Sequence, residues 1–156
     1  MSGDPCLVVT SINAPNRAMA ALASGAADVG FDFIVVGDTR SPADFRIDGC
    51  RFLDLAAQAA TGFKSAAAGV TDHYARKNIG YLLAMQRDAP YIVETDDDTV
   101  AYDEFWFDRE RSHAVSRVGD QGWVNVYRYF SSASIWPRGL PLDQVRVPVA
   151  RMTRSI

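Results

Sequence analysis

Three adjacent carboxylates, Asp96, Asp97 and Asp98, close an apolar run in YIVETDDDTV (residues 91–100). Adjacent anions repel one another, so the cluster asks for a partner. A hard divalent cation supplies one: it takes oxygen ligands, and two carboxylates with phosphate oxygens and water complete its shell. Asp96 and Asp98 stand at D-x-D spacing for that role, and a bound Mn2+ or Mg2+ would turn the repulsion into attraction. The competing reading is a solvated acidic turn; the position directly after an apolar strand favours the cation. Arg76 and Lys77 form a second signal. They fall in the first turns of a helix expected to start at Asp72, where the helix dipole disfavours cations. A bound anion would relieve that conflict with help from the helix amides, whereas solvated side chains are the plain alternative. Arg17 has the same placement near an earlier helix start.

Asp38 follows another apolar run and could accept hydrogen bonds from a ribose hydroxyl or a base N–H, or could cap the turn in GDTR. Both readings stay open. Glu94 sits inside an apolar strand, where a carboxylate needs a partner; support of the metal or pairing with an arginine is expected. His73 and His113 read as surface or capping residues. The aromatic cluster Tyr102, Phe105, Trp106 and Phe107 reads as core, with a sugar platform as the alternative, and Trp123 and Tyr127 share that ambiguity.

The elements that must position these residues alternate in type. Strands are expected over 6–12, 31–37, 50–55 and 91–95. Helices are expected over 16–24, with Gly25 near the end, around LAAQAA, and over 72–88 with Asp72 as N-cap and Ala75, Ile79, Leu82 and Leu83 on one stripe. Within that last helix Gly80 lowers stability and would admit another backbone closely. Such alternation implies an α/β fold with a parallel sheet covered on its faces, and a ligand site at the carboxyl ends of the strands. Those ends carry Thr10 and Ser11, the run Gly37 to Arg40, and the three aspartates. Beyond residue 100 the pattern changes: WVNVYRYF (123–130) alternates with period 2 and reads as a strand.

The 156 residues suffice for one domain with a core; 48% are hydrophobic and the formal net charge is −3. That charge does not suggest a nucleic-acid or membrane partner. No stretch approaches a membrane span, no leader pattern opens the chain, and Cys6 and Cys50 form neither a framework nor a metal pattern. A cytoplasmic protein is the expectation, with homo-oligomerisation left open.

The run ARKNIGYLLAMQRDAPYIVETDDD resembles the segment of GT-A-fold nucleotide-sugar glycosyltransferases in which a helix start is followed by a strand and the D-x-D motif. With VVTSINAP, FIVVGDTRSP and WVNVYRYF…IWPRGLPL, the chain is similar to the STELLO-type family. More distantly it is similar to the reversibly glycosylated polypeptides, UDP-arabinopyranose mutases that also carry D-D-D. The resemblance implies a Rossmann-like, three-layer GT-A fold with a mostly parallel central sheet, residues 1–100 as the nucleotide-binding half and 101–156 as a short or truncated acceptor-side half. It implies that Asp96 and Asp98 hold Mn2+ or Mg2+ against the diphosphate of a nucleotide sugar, with uridine as the expected base, and that Asp97 lies nearby. It further implies that Thr10 and Asp38 contact the nucleoside and that Arg17, Arg76 and Lys77 lie near the nucleotide and its phosphates. The implied activity is glycosyl transfer to an acceptor, with no residue marked as catalytic base. A degenerate nucleotide-binding module acting through a partner is the alternative. The string also fits the D-x-D-x-[T/V] pattern of haloacid-dehalogenase-type phosphatases, but that fold needs a later lysine and none follows Lys77.

Overall fold

A computed structural model describes residues 3–107, 112, 114–118, 122–150 and 153–154. The chain divides into two compact units, residues 1–108 and 109–156, and each is taken by itself. In the first, β1 (Cys6–Thr10), α1 (Arg17–Asp28), β2 (Asp32–Val36), β3 (Arg51–Leu53), α2 (Leu55–Ala60), α3 (Lys64–Ala68), α4 (Lys77–Gln86) and β4 (Ile92–Glu94) follow in order, with 3-10 turns at Tyr74–Arg76 and Asp103–Trp106. The four strands are parallel in the order β3-β2-β1-β4. Thr10 stands opposite Val36, Val36 opposite Leu53, and Val8 opposite Glu94.

The apolar runs have no polar alternation because both faces of the sheet are covered. Leu7, Val9, Phe33 and Val35 point to the face where α1 contributes Met19, Leu22, Ala23 and Ala26. Cys6, Val8, Ile34 and Val36 point to the other, against Leu83 and Ala84 of α4. The result is the expected three-layer α/β arrangement. Each fully buried Val, Leu or Ile side chain contributes about 1.5–3 kcal/mol relative to exposure.

Several local expectations change. Helix α1 continues past Gly25 to Asp28, and the glycine there makes room for Trp106, whose nearest ring atom lies 2.3 Å from where a Cβ would stand. Asp72 is not an N-cap: its φ is 55°, the left-handed conformation an aspartate tolerates, and α4 begins only at Lys77. His73 takes the capping role, its Nδ1 accepting from the Ala75 N–H at 3.0 Å at the head of the 3-10 turn. Ile79 and Leu83 are buried on α4, but Ala75 is exposed before the helix begins. Gly80 meets side chains rather than a backbone, a Cβ there falling 2.6 Å from Val8 Cγ1 and 3.0 Å from Val36 Cγ2. Phe105 and Trp106 pack on the core, whereas Tyr102 and Phe107 are exposed.

In the second unit the strand expected over 123–130 is instead a 3-10 turn, Val126–Tyr129. The cause is Asn125, buried to 2% exposure. Its side chain accepts from the Tyr127 N–H and donates to the carbonyls of Ile135 and Val145, turning the chain where alternation alone would extend it. Trp123 and Tyr127 are exposed there. Strands β5 (Ser116–Arg117) and β6 (Thr153–Arg154) pair antiparallel. His113 lies outside the described residues. Among the described residues no helix is long and apolar enough to cross a membrane.

Candidate functional site

In the order β3-β2-β1-β4 the chain leaves β1 toward one edge and returns to its other side with β4. Beyond the carboxyl ends of such a pair lies the crevice in which open α/β sheets bind ligands. Here three strand ends are tied across one another. Ser11 N–H donates to the Val36 carbonyl. Ser41 Oγ donates to the Ser11 carbonyl at 2.7 Å and accepts from the Asp38 N–H at 2.8 Å. Ser11 Oγ donates to Asp97 Oδ2 at 2.5 Å, and Asn13 Nδ2 donates to the same oxygen at 2.8 Å. Asn16 caps α1 by accepting from the Met19 N–H, and its Nδ2 donates to the Asp97 carbonyl at 2.9 Å.

Asp38 is buried at the end of β2. Burial would raise its carboxyl, but backbone hydrogen bonding from Thr39, Asp72 and His73, helped by the Arg76 guanidinium, holds it below its ordinary value. Arg76 is itself buried, with Nε 3.5 Å from Asp38 Oδ1 and without a hydrogen-bond partner. Its other nitrogens donate to Gln58 Oε1 at 2.8 Å and to the Gly69 carbonyl at 3.1 Å. Gln58, with no exposed surface, donates in turn to the carbonyls of Gly37 and Leu53. Arg76 is thus the buried counter-ion that fixes the end of β2.

Lys77 is also buried, its Nζ donating to Glu94 Oε2 at 2.9 Å and to the Thr95 carbonyl at 3.2 Å, with Asp96 Oδ1 at 3.5 Å. The partner expected for Glu94 was a metal site or an arginine. It is this lysine, together with Tyr81, whose hydroxyl donates to Glu94 at 2.7 Å. The reason is geometry: α4 packs on β1, so its first turn reaches the end of neighbouring β4. Tyr81 and Lys77 hydrogen bonds lower the Glu94 carboxyl, while burial and then Glu94 push the Tyr81 hydroxyl up to about 12.

A cleft of about 260 Å³ opens at these strand ends. Of the residues given a nucleotide or metal role from the sequence, Thr10, Asp38 and Asp97 line it. Thr10 Oγ1 is buried without a hydrogen-bond partner. Asp96 and Asp98 are exposed on the adjoining turn, which closes with Thr99 N–H donating to the Asp96 carbonyl. Arg76 and Lys77 stand behind the lining, and Arg17 lies away from it, in a separate open groove along α1 with Arg46. The cleft brings in residues without an assigned role. Arg40 carries a guanidinium to its wall, held by Asp72 at 3.1 Å, and Tyr74 presents an exposed ring. Ser11, Asn13 and Asn16 were signalled only by a polar run after an apolar strand, and Gln58 by being the lone polar residue among alanines.

Among the described residues no three His, Cys, Asp or Glu side chains converge as a metal cage. Asp96 and Asp98 have the oxygen chemistry that a divalent cation takes, although Lys77 Nζ already stands 3.5 Å from Asp96 Oδ1. Their donor set is all oxygen and both are exposed, Asp96 with 65% of its side chain accessible. Magnesium-type sites commonly use one or two carboxylates and leave the remaining positions to phosphate and water.

A parallel sheet buried on both faces, with a polar cleft where the strand order reverses, defines a Rossmann-like α/β fold, an arrangement consistent with the GT-A kind. Two plant proteins from Arabidopsis thaliana are similar to it in sequence: probable glycosyltransferase STELLO1 is 32% identical over 132 aligned positions, and probable glycosyltransferase STELLO2 is 31% identical over the same length. Both alignments cover 74% of this chain and 17% of the plant protein. Over those positions the chain is similar to the STELLO-like glycosyltransferases, and it spans about a sixth of the length of these curated relatives. No family model matches the chain.

Proposed function

We propose that this chain is a metal-dependent, glycosyltransferase-like domain that binds a nucleotide sugar, with UDP as the carrier, and passes its glycosyl group to an acceptor. The observation that carries the reading is the cleft at the ends of β1, β2 and β4, lined by Thr10 and Asp38 and bordered by the turn that bears Asp96 and Asp98. Thr10, at the end of β1, lines the cleft on the side that the nucleoside would occupy. Asp38, held as an anion by backbone N–H groups and Arg76, suits a ribose hydroxyl or base N–H. Arg40 suits the diphosphate, a role that the buried pairing of Arg76 and Lys77 makes less apt for them. Asp96 and Asp98 would hold Mn2+ or Mg2+. The cation, when bound, neutralises charge on the departing nucleoside diphosphate.

Because the curated relatives are much longer, a second reading has support: a nucleotide-binding module whose acceptor machinery belongs to other parts or partners. Incubation with UDP-sugars and Mn2+ separates the two. Release of UDP, lost in Asp96→Asn, supports transfer chemistry; UDP binding without release supports the module; neither binding nor release contradicts both.

A further inference from the structure

The three aspartates are unequal. Asp96 and Asp98 are exposed, while Asp97 is turned into the fold and half-buried. One oxygen of Asp97 accepts from both Ser11 Oγ and Asn13 Nδ2, across 86 and 84 residues of sequence, and its carbonyl accepts from Asn16. Asn16 is also the cap of α1, and the Ser11 carbonyl is tied to β2 through Ser41. We propose that Asp97 is a positioning residue, a latch that fastens the turn after β4 to the β1–α1 loop and so presents Asp96 and Asp98 together on the outside of that turn. The inference rests on the nucleotide–metal reading only for what the presented pair binds. The latch itself is a set of hydrogen bonds.

The requirement on residue 97 is an acceptor of the right size. A carboxamide oxygen accepts the same two bonds, so asparagine retains the latch, whereas alanine leaves two donors without a partner. A role through charge, on the cation or on the nucleotide, would reverse the ranking, since asparagine removes the charge completely. A fixed turn also matters to ligand binding, because ordering a loose turn lowers affinity without changing any contact.

The test uses the whole chain and two measurements. The first is Mn2+ binding in the presence of UDP, followed by the electron paramagnetic resonance signal of free Mn2+. Asp97→Asn is expected to weaken binding by no more than about fivefold, the effect of a nearby charge that is not a ligand. Asp97→Ala, and Ser11→Ala combined with Asn13→Ala, are expected to weaken it about tenfold or more, with Asp96 and Asp98 intact. Loss in Asp97→Asn as deep as in Asp96→Asn overturns the proposal, as does wild-type affinity in Asp97→Ala. The second measurement is the urea midpoint without ligand, which judges the latch even if the parent chain binds no Mn2+ with UDP and the nucleotide reading fails. A midpoint retained in Asp97→Asn and lowered in Asp97→Ala supports the latch; equal midpoints in the two variants overturn it. Should the double variant not fold, Asn13→Ala alone, which removes one of the two bonds, is expected to fall between wild type and Asp97→Ala, and a wild-type value counts against the latch.

Discussion

Asp38 and Arg76 place opposite charges in a buried setting at the end of β2, and the sequence offered each as a ligand contact. Removing one partner of a buried pair leaves the other charge uncompensated, so Arg76→Met and Asp38→Ala are each expected to destabilise the fold by about 3–5 kcal/mol, read from urea unfolding. Asp38 also gives a pH dependence of known sign. Its folded carboxyl lies below the ordinary value of 3.8, so its stabilising contribution is complete above that value and is lost as pH falls through the lower, folded one. Glu94 acts in the same direction. The stability gap between wild type and Asp38→Asn is therefore expected to narrow in unfolding curves taken below about pH 4, and a gap that widens there would contradict this. At the cysteines, burial pushes both thiols up to about 12, so Cys6 and Cys50 are expected to react with a disulfide reagent at neutral pH only after denaturant is added. At this scale residue types were legible and roles were not. Nothing local to Arg76 says whether it faces a ligand or a carboxylate at the end of a strand 38 positions earlier in the sequence.

At the scale of elements, Gly80 marks where α4 lies on the sheet. Alanine would raise helix propensity by about 1 kcal/mol, yet its Cβ would press on Val8 and Val36 in a core that admits no extra methyl. The packing cost is expected to prevail, with Gly80→Ala less stable by about 1–2 kcal/mol in thermal or urea unfolding. The order and type of the strands and of α1, α2 and α4 were legible because the apolar runs of β1 and β2 and the stripe of α4 follow directly from burial on both faces, whereas the short helix α3 was not expected. Boundaries were less so. Helix α1 outran its apparent stop at Gly25, a glycine that makes room for Trp106 and does not end the helix, and the start of α4 moved by five residues, from Asp72 to Lys77, because Asp72 adopts a left-handed conformation that its composition does not announce. The alternating run at 123–130 became a 3-10 turn because Asn125 binds carbonyls 10 and 20 residues away, information outside any local window.

At the scale of the molecule, the strand order assembles the site: β1 and β4 are neighbours, so Ser11 and Asp97 meet although they are 86 residues apart. The clustering of polar residues at strand ends was visible in the sequence once a parallel sheet was inferred; the ties among them were not, since they depend on which strands are adjacent. The central claim is that this cleft takes a nucleoside diphosphate with a divalent cation. Its most direct test is the melting temperature of the intact chain with UDP, GDP, CDP and ADP, each with and without Mn2+. A one-site ligand at about 100 times its Kd is expected to stabilise by about 2.7 kcal/mol, enough to move the transition by several degrees. The expected result is an upward shift that is largest with UDP, depends on Mn2+ and disappears in Asp96→Asn and Asp98→Asn. No shift with any of the four nucleotides would contradict the account.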